Sequence, residues 1–421
     1  MSGDLWIHNL AELATPEGSE PRRGADQGRV RRVRDAEVVC RDGRIVFAGP
    51  AEERRRLFGE PEGCERLDGR GGTLVPGFVD PHTHLPWAGS REEEFAARLA
   101  GKTYQEIAAA GGGILSTVAA TRRAGEDELA GRVRRRLDLM LAHGTTTAEA
   151  KSGYGLTLDD ELKQLRAIRR ASREHPVDLV PTLLAAHVVP PEWRHDRGRY
   201  VDLVCEEIVP AAAEQGLARF CDVFCEHGVF SAEESRRVLE AGIRHGLAPR
   251  LHADEFEDSG GAELAAELGA LSADHLIAVS PRGVEALARS GVTAVLLPGT
   301  SFFLMKHRYA PARRLVEAGV PVALATDCNP GSSHTESMPM VFVLAVFELG
   351  LSIEESLTAA TLNSACCLGL GGEIGSIEPG KWADLVLLDA PNLLHLAYHY
   401  GINPVAAVVK GGTVVRGPGL A

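Results

Sequence analysis

Eight short apolar segments recur between residues 74 and 325, with helix-forming stretches between them. The segments are Leu74–Val79, Thr145–Ala150, Leu179–Ala186, Phe220–Cys225, Leu247–Leu251, Leu271–Ala273, Val292–Leu297 and Val320–Ala325. The helical patterns include Asp159–Glu174, Ala232–His245, Gly261–Leu268 and Pro281–Ser290. Such alternation predicts an α/β fold, a parallel sheet covered by helices. Eight strands favour closure into a (β/α)8 TIM-like barrel over an open, doubly wound sheet. An open sheet would place a glycine-rich phosphate turn after its first strand. Here that strand runs into Asp80-Pro81-His82-Thr83-His84 instead. The run Gly111-Gly112-Gly113 has no strand-to-helix phosphate context and reads as a flexible loop over the site.

The two chain ends have a different pattern. Val38-Val39-Cys40 and Arg44-Ile45-Val46-Phe47 flank Arg41-Asp42-Gly43, a hairpin with an Asp-Gly turn. Near the other end, Ala383–Leu388 reads as a strand, and Ala407–Lys410, Gly411-Gly412 and Thr413–Val415 as a second hairpin. This predicts a small β-sandwich domain built from both ends, residues 1–74 and 366–421, around a barrel at 75–365. Thr15–Asp35, rich in Gly, Pro and Arg, reads as a loop.

Composition excludes other classes. Lys+Arg 45 against Asp+Glu 58 gives a net charge of −13, which argues against nucleic acid as a partner. No apolar run approaches the roughly 20 residues that span a bilayer. Met1–Leu10 contains Asp4, His8 and Asn9 and is no signal peptide. The eight cysteines are then expected to be reduced thiols in a cytoplasmic protein. Cys221, Cys225, Cys366 and Cys367 read as small buried hydrophobes.

Chemistry in such barrels sits where the strands end. Those ends carry His82 and His84, Glu149 and Lys151, His187, Glu226 and His227, then His252, Asp254 and Glu255, Asp274 and His275, and Asp327. Imidazoles and carboxylates are costly to bury alone, so their repetition at apolar strand ends points to a site. His82 and His84 are two apart in extended chain and point to one side. With His252 and Asp327 they make a three-His, one-Asp set suited to Zn2+ or non-haem iron. Such an ion makes hydroxide available near neutral pH.

Leu74–His84, with His252, His275 and Asp327, resembles the amidohydrolase superfamily. Further segments are similar to its imidazolonepropionase family: Ala88-Gly89-Ser90-Arg91-Glu92, Gly111–Thr117, Lys151-Ser152-Gly153-Tyr154-Gly155, Leu251–Phe256, Ala273-Asp274-His275-Leu276 and Ala325–Ser332. The likeness runs through nearly the whole chain. His-Thr-His marks only the superfamily, whereas Lys-Ser-Gly-Tyr-Gly and Asp-Cys-Asn-Pro-Gly-Ser are far more specific.

The resemblance implies a metal-dependent hydrolase that opens the ring of 4-imidazolone-5-propanoate in histidine degradation. It implies one metal ion on His82, His84, His252 and Asp327. Glu255 would move the proton from water to the leaving nitrogen, and His275 would assist or polarise the carbonyl. Arg91 would bind the propionate, with Tyr154, His187, Glu255, Asn329, Gly331 and Ser332 as further substrate contacts. It also implies a homodimer and an unmodified Lys151, although a carbamylated Lys151 bridging two metals stays open. So do another cyclic amidase or deaminase on this fold, and a barrel scaffold without catalysis.

Overall fold

The computed structural model describes residues 4–59, 63–102, 106 and 112–417. The apolar segments pair in parallel, each with the next, as β1 (Phe78–Asp80), β2 (Thr145–Lys151), β3 (Asp178–Ala186), β4 (Phe220–Cys225), β5 (Ala248–Ala253), β6 (Ser272–His275), β7 (Thr293–Leu296) and β8 (Val322–Leu324). The barrel closes just beyond the ends of β1 and β8. There Thr83 and Cys328 form a parallel bridge, Asp327 N–H donates to the His82 carbonyl at 3.1 Å, and His84 N–H donates to the Cys328 carbonyl at 3.0 Å.

Helices cover the strands by their apolar faces. Leu158–Arg173 buries Leu162, Leu165, Ile168 and Ala171, and Thr157 caps it by accepting from the Asp160 N–H. Ala232–Arg244 starts at a reciprocal Ser231/Glu234 capping box. Inside the barrel, Val79, Val180, Phe220, Val295 and Ala323 pack in one cluster with Ala365, Cys367 and Leu368.

The chain ends form a second sheet in the order Thr413–Arg416, Val405–Lys410, Leu385–Leu388, Thr73–Pro76, Leu5–Thr15, Arg31–Arg41 and Arg44–Pro50, with Glu65–Asp68 also on Leu5–Thr15. It encloses its own core of Leu5, Ile7, Leu13, Val38, Leu74, Leu385 and Val409. Asp42 and Gly43 turn the first hairpin with φ of 48° and 78°, the doubly left-handed turn that suits twisted strands.

Two sequence expectations are corrected. Leu74–Val79 is not one strand: Thr73–Pro76 joins the end sheet and Phe78–Asp80 the barrel. Gly77 divides them, and a Cβ there would come within 2.3 Å of Thr146 Oγ1. Within Thr15–Asp35, residues 31–35 are strand rather than loop, pairing antiparallel with Leu5–Thr15. Long-range pairing overrides the local composition, because Arg32 forks onto Glu12 of the neighbouring strand. Of the Gly111–Gly113 run, Gly111 lies outside the described residues. Gly113 caps the helix Ile114–Arg123 with φ of 84°. All eight cysteines are free thiols. Among the described residues, no helix is long and apolar enough to cross a membrane.

Candidate functional site

The strand ends bring four expected ligands together from β1, β5 and β8. Asp327 Oδ1 is 3.6 Å from His82 Nε2 and 3.4 Å from His84 Nε2, and His84 Nε2 is 3.5 Å from His252 Nε2. His275 joins as well: one ligand atom each from His82, His252 and His275 lies within 4.8 Å of the others. All five side chains are buried.

Carboxylates behind the imidazoles fix their direction. His82 Nδ1 donates to Asp274 Oδ2 at 2.6 Å, and His252 Nδ1 donates to Asp222 Oδ1 at 3.1 Å. Each proton is therefore held on the far nitrogen, and the Nε2 lone pairs face the centre. His82 Nε2 is buried without a hydrogen-bond partner. Lone pairs meeting a carboxylate oxygen at this spacing repel unless a cation lies between them, so the donor set fits a metal ion. Burial pushes His82 and His84 well below the ordinary histidine range, which keeps them neutral as ligands must be. Burial also opposes charge on His252, but Asp222 outweighs it and raises that pKa.

Asp327 is set by strain and by one hydroxyl. Its φ is 53°, in the left-handed region, as is that of His275 at 79°. Thr300 Oγ1 donates to Asp327 Oδ2 at 2.6 Å, leaving Oδ1 toward the histidines.

Beneath this layer lies Lys151, with no exposed surface. Its Nζ donates to Asp222 Oδ2 at 2.7 Å and Glu149 Oε1 at 2.9 Å, and Asp274 Oδ2 is 3.9 Å away. Burial lowers its pKa, but Asp222 and Glu149 more than offset this and the net shift is upward. Lys151 thus balances the carboxylates that orient His252 and His82.

Glu255 is 7% exposed. Its Oε2 is 3.8 Å from His275 Nε2 and its Oε1 is 3.7 Å from Lys306 Nζ. Burial pushes the Glu255 carboxyl up to about 7, with Lys306 pulling the other way. Burial pushes His275 down to about 3, against the pull of Asp327.

The remaining expected residues line the same opening. His187 stacks on His84 with ring centroids 5.2 Å apart, and Tyr154 lies 5.4 Å from His187. His187 Nδ1 donates to the Gly153 carbonyl at 3.0 Å. Asn329 is turned into its own loop, where Oδ1 accepts from Gly331 N–H and Ser332 N–H, both at 2.8 Å. Ser332 Oγ is 3.4 Å from Asp327 Oδ2. Arg91 pairs with Glu94 through Nε and Nη2, and Glu94 also accepts the Gly113 N–H. Arg91 Nη1 packs on Gly331, where a Cβ would be 1.8 Å away.

Sequence reasoning missed Asp222, Thr300 and Lys306. Asp222 lies inside an otherwise apolar run, Phe220–Cys225, and that buried carboxylate was the available signal. Asp222→Asn is expected to weaken metal binding by about 10–100-fold, the usual effect of losing such a partner. Competition against a chelator of known affinity measures it.

The amidohydrolase family model matches residues 73–415. The chain is 50% identical to the imidazolonepropionase of Geobacillus kaustophilus over 418 residues, 99% of this chain and 98% of that one. It is 53% identical to the imidazolonepropionase of Symbiobacterium thermophilum over 419 residues, 98% of this chain and 97% of that one. Among solved structures, a zinc-bound adenosine deaminase from Xanthomonas campestris superposes with a TM-score of 0.72 at 22% identity, covering 98% of this chain and 92% of that one, a likeness of fold. By its family match and its full-length relatives, the chain belongs to the amidohydrolase family and, within it, to the imidazolonepropionases.

Proposed function

We propose that this enzyme hydrolyses 4-imidazolone-5-propanoate to N-formimidoyl-L-glutamate, a step of histidine degradation. The observation that carries the reading is identity of 50% across 99% of the chain with an imidazolonepropionase. The proposal extends to one metal ion per chain, Zn2+ or iron, on His82, His84, His252 and Asp327, and to a cytoplasmic homodimer. Lys151 stays an unmodified ammonium, since Asp222 and Glu149 already accept hydrogen bonds from its Nζ.

The bound ion would supply a water acidified toward neutrality. Glu255 is the base that accepts the proton from the attacking water. Its pKa of about 7 suits that task near neutral pH. As the ring C–N bond breaks, Glu255 returns the proton to the leaving nitrogen. His275, neutral above about pH 3, donates a hydrogen bond to the carbonyl oxygen as negative charge builds there. Tyr154 and His187 flank the ring, and the loop of Asn329, Gly331 and Ser332 contacts substrate and product. Arg91 faces the propionate.

The test is incubation with freshly generated imidazolone propionate, following loss of its ultraviolet absorbance, with metal content measured on the same sample. Unchanged absorbance with metal in place would refute the substrate assignment.

Arg91→Lys is expected to weaken substrate binding while preserving the charge. Lysine offers a point charge where arginine offers a planar fork. Losing a charge-assisted hydrogen bond costs roughly 1.5–3 kcal/mol, or tenfold and more in affinity. An imidazolone lacking the carboxylate should bind both proteins alike. The four affinities form a double cycle, and a coupling near zero would remove Arg91 from propionate recognition.

A further inference from the structure

Lys306 follows the helix Pro298–Phe303, whose Thr300 steadies Asp327. Its Nζ is out of water and has no hydrogen-bond partner among the described residues. Glu255 Oε1, 3.7 Å away, is close enough to attract it and too far to accept from it. The Phe256 ring, with its centroid 4.0 Å from Nζ, adds a cation–π contact and no acceptor oxygen. An ammonium held this way is costly until an anion arrives. The backbone on either side is strained, with Met305 at φ 55° and His307 at φ 50°.

Two arginines, Arg91 and Arg98, stand on the neighbouring segment. Arg91 has Nε and Nη2 on Glu94 and Nη1 against Gly331. The two segments meet through Phe95 and Phe303, whose rings stack 5.1 Å apart. Arg98 packs over both of these rings with Nε and Nη2 unpaired among the described residues, and Lys306 is the unpaired cation that lies beside Glu255.

We propose that Lys306 is a second cation, beside Arg91, on the propionate carboxylate of the substrate and so helps to determine specificity. The inference rests on the substrate assigned above. A carboxylate matches the vacancy in chemistry: it carries one negative charge and two acceptor oxygens for three unmatched N–H groups.

Lys306→Met keeps the stem and removes the charge. Wild type and variant are assayed on 4-imidazolone-5-propanoate and on an imidazolone with an ethyl group in place of the propionate. For the propionate substrate, KM should rise about tenfold or more, the usual effect of losing a charge-assisted contact. The kcat should stay within about threefold, as for lost uniform binding. Metal content should not change. The preference for the propionate substrate, as a ratio of kcat/KM values, should fall by the same factor, and Lys306→Arg should recover part of it. An unchanged preference overturns the proposal, whether the kinetics are normal or only kcat falls. The latter result would mean that Lys306 acts on Glu255 alone. Wild type that opens neither ring overturns the substrate assignment and this inference together. Wild type that is active beside an indistinguishable variant overturns only the role of Lys306.

Discussion

Chelation is expected to abolish hydrolysis, and one equivalent of Zn2+ or iron per chain to restore it. Asp327 Oδ1 lies 3.6 Å from His82 Nε2 and 3.4 Å from His84 Nε2, and His84 Nε2 lies 3.5 Å from His252 Nε2, a donor set that fits one cation. Without the ion the nucleophile reverts to ordinary water, whose pKa is roughly nine units above that of a metal-activated one. Residual activity should be at the limit of detection. Metal analysis against protein concentration checks the stoichiometry. Two ions per chain with a carbamate on Lys151 would overturn the mononuclear reading and favour a different cyclic amidase.

Glu255→Gln should retain its metal and bind substrate nearly as well, yet lose most of kcat. The amide has almost the same shape but cannot accept the proton from water, and general acid–base terms are typically worth about 10²–10⁴-fold. The loss should appear in single-turnover chemistry and not in KM. A variant with near-normal kcat would move the proton transfer to His275, whose Nε2 lies 3.8 Å from Glu255.

The barrel was legible because its periodicity is strong and repeated. Seven of the eight apolar segments became barrel strands with small changes at their ends, and the last residues of the first became β1. The exception, Leu74–Val79, mixed two sheets in one apolar run, and only a close approach at Gly77 separates them. Residues 31–35 were misread because local composition says nothing of a distant partner strand. The candidate ligands stand out in the sequence as polar residues where apolar runs stop, and so does Asp274, which orients His82. Asp222, Thr300 and Lys306 do not. Asp222 is hidden inside a strand, Thr300 resembles any helical threonine, and Lys306 sits in a segment without periodicity. Their roles exist only as distances across the fold.

The seam between β1 and β8 has a kinetic consequence. The residues that zip the barrel shut include three of the candidate metal ligands: Asp327 bonds to His82, and His84 to Cys328. Thr326 and Asp80, which bond alongside them, are 246 residues apart in the chain. Contacts of that span form late, since their loop must be closed before they repay it. During synthesis the first strand must wait, edge exposed, until the last has left the ribosome. Ion loading is then the clasp on a finished ring, and its loss should loosen this edge first. Amide exchange would report it as faster deuteration at His84, Thr326 and Asp327, whose N–H groups bond across this edge, than in the middle strands.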